Sequence, residues 1–238
     1  MTQLELAGKG IVSPQMQSVA DSEGLEGEIV RQGVAGGTIV IPANLLHKGL
    51  VPRGIGKGLK TKVNANIGTS SDLGNLDTEL QKLQIAIDYG ADAVMDLSTG
   101  GNINTIRRAI LHASTAAIGT VPVYQAATEA SEKYDAIVKM TVDDLFRAIE
   151  EQCRDGVDFL TVHCGINRAA IARLKQQGRV TSVVSRGGSF LIGWMLYNER
   201  ENPLYEYYDR LLEITRTYDV TLSLGDGMRP RSLADATD

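Results

Sequence analysis

The run TSVVSRGG contains residue types that together can bind an anion. Its β-branched residues end at a hydroxyl, a guanidinium and two glycines, namely Ser185, Arg186, Gly187 and Gly188. Backbone N–H groups that glycines leave accessible can converge with an arginine on a phosphate oxygen. Taken alone, the same residues fit an ordinary Gly-Gly turn beside a solvated arginine. The position of the run among similar runs must therefore decide between the two interpretations.

Polar residues lie at or just after the carboxyl ends of six predicted strands. They are Asn64 and Asn66, residues 95–98, Tyr124 and Gln125, His163 and Cys164, Ser185 and Arg186, and residues 225–229. In a parallel barrel these ends share one mouth, where active sites are built from several strands. A doubly wound sheet gathers such ends at a switch point, and residues 67–69 lack its glycine-rich fingerprint. The pattern favours one binding site at the mouth of a barrel.

Each of these residues also has a simpler structural interpretation. His163 is suited to proton transfer or to a ligand hydrogen bond, although a lone histidine is more often a satisfied core residue. Asn66 and Tyr124 can equally bond neighbouring loops. Asp226 and Arg229 flank an Asp-Gly turn, so they form either a local ion pair or contacts to a sugar and a phosphate. Residue types alone leave these alternatives open.

The elements that would position these residues repeat about every thirty residues from residue 62 onward. Strands are predicted at 62–67, 93–97, 119–124, 159–163, 181–184 and 220–224. Between the first two, Leu76, Leu80 and Leu83 lie on one face of a predicted helix. Residues 90–95 and 156–161 share a helix stop, an aspartate and a strand, which indicates a repeated βα unit.

Residues 1–60 lack this regular alternation of strands and helices and are predicted to form a small N-terminal segment of helices and loops. Thr2 with Glu5 resembles a capping box, and Ser13 precedes a proline, Pro14, at a first helical position. Two short helices are expected here. The remainder of the chain, residues 61–238, is predicted as one barrel domain.

Composition narrows the classes of partner. The 238 residues are 43% hydrophobic and 22% charged, with a net charge of -5, as in an ordinary globular protein. An acidic chain with three phenylalanines and one tryptophan lacks the basic, aromatic surface that binds nucleic acid. No signal peptide opens the chain and no apolar run is long enough to cross a bilayer. We expect a cytoplasmic protein with neither nucleic acid nor membrane as partner.

The cysteines and the remaining histidines give little indication of chemistry. Cys153 and Cys164 form neither a metal-binding nor a disulfide pattern, and Cys164 is expected to be a small buried residue rather than a nucleophile. His47 and His112 have no sequence partner that singles them out. We expect both histidines to be surface or packing residues.

The predicted strand ends occur within recognisable strings. These are NANIGTSSDL, GADAVMDLSTGG, GTVPVYQA, GVDFLTVHCG, VSRGGSF followed by NPLYE, and YDVTLSLGDGMRP followed by DATD. In this order they resemble the phosphomethylpyrimidine synthase family, radical lyases that rearrange aminoimidazole ribotide into the pyrimidine phosphate of thiamine biosynthesis. The resemblance runs from about residue 62 to residue 238, and IPAN at 41–44 extends it upstream.

The resemblance implies an α/β fold, a (β/α)8 TIM barrel with about six of its eight units in this chain. It implies that Arg186 and the Gly187 backbone hold the phosphate of the ribotide. The full set of implied ribotide contacts is Asn66, Met95, Tyr124, His163, Ser185, Arg186, Gly187, Asp226, Gly227, Met228 and Arg229. The family uses S-adenosylmethionine and a [4Fe-4S] cluster, with zinc as a further metal. Its cluster cysteines and metal contacts lie beyond the matched region, so no metal ligand is expected among these residues.

The resemblance also suggests partners and alternatives. A homodimer, or a missing C-terminal half, would supply the cluster, and the chain alone would be inactive. The related synthase that makes 5-hydroxybenzimidazole from the same ribotide is one alternative. A non-catalytic ribotide-binding module derived from the barrel is another.

Overall fold

A computed structural model of the chain describes residues 1–70 and 74–236. Residues 71–73 of the NANIGTSSDL string and residues 237–238 of DATD lie outside the described residues. The chain divides into two compact units. The first comprises Met1–Thr120, Glu150–Leu160 and Glu213–Leu222, and the second comprises Val121–Ile149, Thr161–Leu212 and Ser223–Asp238.

The described residues form seven β-strands and eleven α-helices. The strands are β1 (Ile39–Val40), β2 (Ile55–Gly56), β3 (Asn64–Ile67), β4 (Ala93–Asp96), β5 (Ala117–Thr120), β6 (Phe159–Val162) and β7 (Thr221–Leu224). The helices are α1 (Gln3–Gly8), α2 (Pro14–Glu23), α3 (Gly27–Ala35), α4 (Leu76–Asp88), α5 (Ile103–Ala113), α6 (Pro122–Tyr134), α7 (Val142–Asp155), α8 (Arg168–Gln177), α9 (Arg186–Asn198), α10 (Pro203–Glu206) and α11 (Tyr208–Tyr218). None of these helices is both long and apolar enough to cross a membrane.

The first two helices begin at the predicted caps. Thr2 Oγ1 accepts the Glu5 N–H and the Glu5 carboxylate accepts the Thr2 N–H, which completes a capping box. Ser13 Oγ accepts the Met16 N–H, with Pro14 at the first helical position. Both predictions are confirmed. Helices α1 to α3 enclose a small apolar core with β1, made of Ala7, Met16, Val19, Ala20, Val30, Val34, Ile39, Ile41 and Ala43.

Strands β3 to β7 form one five-stranded parallel sheet and lie side by side in chain order. Asn66 pairs in register with Met95, and Ile67 with Asp96. Each pair of consecutive strands is joined by at least one helix, as parallel neighbours require. The alternation of strands and helices predicted from the sequence is thus confirmed, and the sheet is compatible with part of a barrel.

The predicted strand at 181–184 is wrong, so the sheet has five strands where six were expected. Instead of pairing with a neighbouring strand, the chain at this point is held by a carboxylate. Asp235 accepts the N–H groups of Val180 at 2.9 Å and of Thr181 at 3.0 Å. An extended segment whose first N–H groups bond to a side chain lacks the ladder that defines a strand.

The predicted strand at 119–124 is also misplaced. Strand β5 ends at Thr120, and α6 begins at Pro122. Proline at the first turn of a helix costs no hydrogen bond, because that N–H has no helical partner. Tyr124 therefore lies in the first turn of α6 and not at the end of a strand.

Candidate ligand-binding site

The SRGG residues form the N-terminus of helix α9. Ser185 is the N-cap, whose Oγ accepts the Gly188 N–H at 3.2 Å and whose carbonyl accepts the Ser189 N–H at 2.8 Å. The N–H groups of Arg186 and Gly187 lie in the first turn, where no helical carbonyl can reach them. This end of a thirteen-residue helix therefore offers backbone donors and a partial positive charge to an anion.

His163 lies directly against this helix N-terminus. Its side chain is buried, and its Nε2 lies 3.0 Å from Ser185 Oγ. A Cβ atom at Gly187 would lie 2.5 Å from the imidazole Cε1, and one at Gly225 would lie 3.0 Å from Cδ2. Only glycine at position 187 allows the ring and the backbone to approach so closely. Within the part of the chain that the structure describes, the buried His163 Nδ1 has no hydrogen-bond partner.

The hydrogen bonds around His163 favour one protonation state. Burial lowers the pKa of His163, while the negative charge of Asp226 opposes this shift and the positive charge of Arg229 adds to it. The imidazole is therefore neutral near pH 7, with one donor and one acceptor nitrogen. Ser185 Oγ accepts the Gly188 N–H, and its own hydrogen is free to rotate toward Nε2. With Ser185 as the donor to Nε2, the proton of the neutral ring lies on Nδ1, as a buried donor whose acceptor a ligand would supply.

A guanidinium group lies beside the helix N-terminus. The guanidinium carbon of Arg186 is 5.2 Å from the centre of the Tyr124 ring, a cation–π distance. Tyr124 in turn makes an edge contact with Phe190, with ring centres 6.2 Å apart. Burial raises the pKa of Tyr124, and the charges of Arg186 and Arg229 oppose this shift. The Tyr124 ring, itself packed on Phe190, thus contacts an exposed guanidinium beside the first-turn N–H groups of α9.

The DGMR residues form a turn that contacts the SRGG residues. The Arg229 guanidinium binds the Asp226 carboxylate at 2.7 Å, and both side chains are exposed. The predicted local ion pair is therefore present. A Cβ atom at Gly188 would lie 2.6 Å from the Gly227 carbonyl oxygen, so the two backbones touch. Met228 lines a groove of about 430 Å³ along α8.

Asn66 and Met95 lie in the first unit, paired across β3 and β4. Asn66 is exposed and Met95 is half-buried. Next to Met95, the buried Asp96 carboxylate accepts the Ser98 N–H at 3.0 Å, and Ser98 Oγ accepts the Thr69 N–H at 3.1 Å. Burial raises the pKa of Asp96. This network ties the ends of the two strands together, and its importance was not evident from the sequence.

His47 is buried, as a packing residue would be, and it has a specific partner that its sequence neighbours do not reveal. Its Nδ1 lies 2.7 Å from Asp158 Oδ2, and its Nε2 lies 3.2 Å from the Ser114 carbonyl oxygen. Burial alone would lower the pKa of His47, but the hydrogen bond and charge of Asp158 outweigh it and raise the pKa. The partner is distant in sequence, so only the aspartate of the repeated βα unit could have indicated it.

Comparison with known proteins agrees with the sequence resemblance. The model of the radical SAM ThiC family matches residues 2–238. The phosphomethylpyrimidine synthases of Dehalococcoides mccartyi and Moorella thermoacetica are each 62% identical over 238 residues, and that of Desulforamulus reducens is 58% identical. These matches cover 100% of this chain and 55% of each relative. This chain belongs to the radical SAM ThiC family. It spans about half the length of the curated relatives it matches.

Members of the radical SAM ThiC family are expected to use S-adenosylmethionine and a [4Fe-4S] cluster. Among residues 1–70 and 74–236, no group of three or more His, Cys, Asp or Glu residues could hold a metal ion. Burial raises the pKa of the Cys153 thiol to about 12, and it also raises the pKa of Cys164. Clusters are held by thiolates. The described residues of this family member therefore do not fit a cluster site.

Proposed function

We propose that this chain forms the ribotide-binding part of a phosphomethylpyrimidine synthase, which converts aminoimidazole ribotide to hydroxymethylpyrimidine phosphate in thiamine biosynthesis. Family membership supports the reaction. One structural observation supports the ribotide site: the buried imidazole of His163, with an unpartnered Nδ1 among the described residues, lies between the N-terminus of α9 and the turn at Asp226.

The ribotide phosphate would bind at the N-terminus of α9. A phosphate dianion needs several donors and positive charge, and the first-turn N–H groups of Arg186 and Gly187 with the Arg186 guanidinium supply both. The hydroxyl of Ser185 is committed to His163 and to the helix, so it would orient the site more than it binds the phosphate. This arrangement makes phosphate the part of the ligand that fixes its position.

The sugar or the base would bind between His163 and the DGMR turn. The Nδ1–H of His163 would donate to an oxygen or a nitrogen acceptor of the ligand. Asp226 and Arg229 would exchange their exposed ion pair for contacts to ligand hydroxyl groups and phosphate. Such an exchange is easily made, because exposed ion pairs contribute little to stability, about 0–1 kcal/mol.

The remaining predicted contacts are proposed from the family match. Asn66, Met95, Tyr124, Gly227 and Met228 complete the set of proposed ribotide contacts. We also propose that residues 61–238 belong to a (β/α)8 barrel, preceded by the N-terminal segment 1–60. The parallel sheet β3 to β7 in chain order supports this, since barrels are built from such sheets.

The radical chemistry would come from groups that these residues do not hold. We place the [4Fe-4S] cluster, S-adenosylmethionine and zinc on other parts of the assembled enzyme, from a longer chain or the second subunit of a homodimer in the cytoplasm. The task of the described residues is to bind the ribotide, to orient it and to exclude water. On this proposal the 238 residues bind substrate and do not turn it over.

Titration calorimetry of the 238-residue chain with aminoimidazole ribotide tests this proposal. We expect one ribotide per chain, with an affinity that falls about a hundredfold in the Arg186→Ala variant. Arg154→Ala is the control, because Arg154 is an exposed arginine of α7 that does not line the groove containing Met228. Absence of binding to the unmodified chain, or equal affinity in the Arg186→Ala variant, would overturn the assignment of the site.

A further inference from the structure

The turn that follows β6 supports both parts of the proposed site. His163 begins this turn, and its ring packs against the backbone positions of Gly187 and Gly225. Ile166 ends the turn and is buried, with its Cδ1 atom 3.2 Å from where a Cβ of Gly188 would lie. The same Cδ1 packs against Gly227. Residues 163–166 therefore lie between the SRGG and DGMR residues and contact both.

A single side chain holds this turn at both ends. Asn202 is fully buried, and its amide Nδ2 donates to the carbonyl of His163 and to the carbonyl of Ile166, each at 2.9 Å. Its Oδ1 accepts the Leu204 N–H at 3.0 Å, which caps helix α10. Both N–H bonds of the amide donate and its oxygen accepts, so the side chain has one orientation. Asn202 thereby fixes the turn to the start of α10.

We propose that Asn202 is a positioning residue for the ribotide site, which sets the location of the His163 imidazole through the backbone of the turn. This role of Asn202 rests on the function proposed above. Asn202 is not among the residues predicted to contact the ribotide. Without the amide, the carbonyls of His163 and Ile166 lose their buried donor. The turn would then move, and the SRGG and DGMR residues that pack on it would lose their relative position.

Asn44 provides a matched control within the same chain. Its Nδ2 donates to the carbonyls of Cys153 and Val157 at 2.7 and 2.8 Å, and its Oδ1 accepts the Leu46 N–H at 2.9 Å. The pattern is the same as at Asn202: two carbonyls and the N–H two residues ahead. Asn44 holds the chain before β6, whereas Asn202 holds the chain after it. A purely structural role predicts equal consequences for the two residues.

Substitution by serine separates a purely structural role from the positioning of the ribotide site. Serine can still cap the following residues, but it cannot reach the two carbonyls. We expect Asn202→Ser and Asn44→Ser to lower the melting temperature similarly. Only Asn202→Ser should weaken aminoimidazole ribotide binding by the 238-residue chain, by about tenfold. Equal ribotide affinity in the two variants would overturn the role of Asn202 alone. Failure of the unmodified chain to bind ribotide would overturn the proposed function itself, and this role with it.

Hydrogen exchange on the unmodified chain gives a second test that does not depend on folding of a variant. If Asn202 couples the turn to α10, saturating ribotide should slow exchange at the Leu204 amide together with the amides of residues 163–166. The Leu46 amide, which makes the same bond to Asn44, should exchange at an unchanged rate. Slowing at residues 163–166 without slowing at Leu204 would contradict the coupling.

Discussion

The Ser185 hydroxyl lies 3.0 Å from the Nε2 of His163 while it caps helix α9. One oxygen atom therefore connects the proposed phosphate-binding N-terminus to the buried imidazole. With the Ser185 hydroxyl as the donor to Nε2, the proton of the neutral imidazole lies on Nδ1. Any change at Ser185 should affect both the helix end and the histidine.

Replacing Ser185 with alanine should cost stability and ligand affinity together. Loss of the cap should lower the free energy of unfolding by about 1 kcal/mol, and loss of the imidazole partner should weaken ribotide binding about tenfold. Chemical denaturation and calorimetry measure the two effects. Ser13→Ala is the matched control, since Ser13 caps α2 in the same way and donates to the side chain of Gln3. It should lose similar stability with unchanged ribotide affinity, and parallel losses of affinity would contradict the prediction.

Replacing Arg186 with lysine tests how the phosphate is held. Lysine keeps the charge but loses the planar fork and its stacking on Tyr124. We expect ribotide affinity in the Arg186→Lys variant to fall about tenfold, well short of the loss in Arg186→Ala. An affinity equal to that of the unmodified chain would show that Arg186 acts as a diffuse charge rather than through directed hydrogen bonds.

Asp219 should make stability depend on pH in a predictable direction. Burial raises the pKa of Asp219 from 3.8 to about 6, while the Gln3 N–H that it accepts at 2.8 Å partly opposes the shift. A carboxyl whose pKa is higher in the folded state binds more protons there, so its contribution to stability falls as the pH rises from about 4 to above 6. Asp219→Asn should therefore stabilise the chain at pH 7, by about 1 kcal/mol after solvent screening.

Thermal melts across pH 2.5 to 8 measure this effect. The gain from Asp219→Asn should shrink as the pH falls and vanish below about pH 3, where the carboxyl is protonated in both the folded and the unfolded chain. Asp135→Asn is the control, because Asp135 has the same left-handed backbone, with a φ of 57° against 58° at Asp219, and an exposed side chain. A gain of the same size below about pH 3 would show that the effect comes from the backbone and not from the charge.

Removing the carboxylate of Asp158, which is buried against His47, should cost far more stability than removing a partly exposed carboxylate from the equivalent position of the repeated unit. Asp158→Ala removes the acceptor of the Asn44 and Ile118 N–H groups and of the His47 ring. We expect the free energy of unfolding to fall by about 3 kcal/mol, because these donors stay buried without a partner. Urea denaturation measures the loss.

Asp92 occupies the equivalent position in the repeated unit and supplies the control. It accepts the Val63 N–H at 2.9 Å, and its ion pair with Arg53 is partly exposed. Asp92→Ala should cost about 1 kcal/mol. Equal losses for Asp92→Ala and Asp158→Ala would contradict the importance of burial at Asp158.

Local rules of sequence predicted the elements whose causes are local. The caps at Thr2 and Ser13 follow from residue types a few positions apart, and the structure confirms both. The repeated aspartates also have a common cause, since Asp92 and Asp158 each accept the N–H of a neighbouring segment, at Val63 and at Ile118. The pattern was visible in the sequence, whereas its hydrogen-bond partners, distant along the chain, were not.

The errors arise where tertiary contacts override local preference. The β-branched run at 181–184 has the composition of a strand, but the carboxylate of Asp235 takes the backbone donors at its start. The β-branched residues before Tyr124 predict a strand, whereas Pro122 starts helix α6 in the structure. In the site, residue types identified His163, Ser185 and the following glycines, but not the side chains that hold them. In the sequence Asn202 is only the first residue of the NPLYE string, and its bonds to the turn after β6 depend on the fold.

The crystal structure of the 238-residue chain grown with aminoimidazole ribotide would test the central claim most directly. We expect the phosphate at the N-terminus of α9, against the Arg186 guanidinium and the Gly187 N–H, with a ligand acceptor bonded to His163 Nδ1. A ribotide bound elsewhere, or a His163 Nδ1 still without a partner in the complex, would contradict the account.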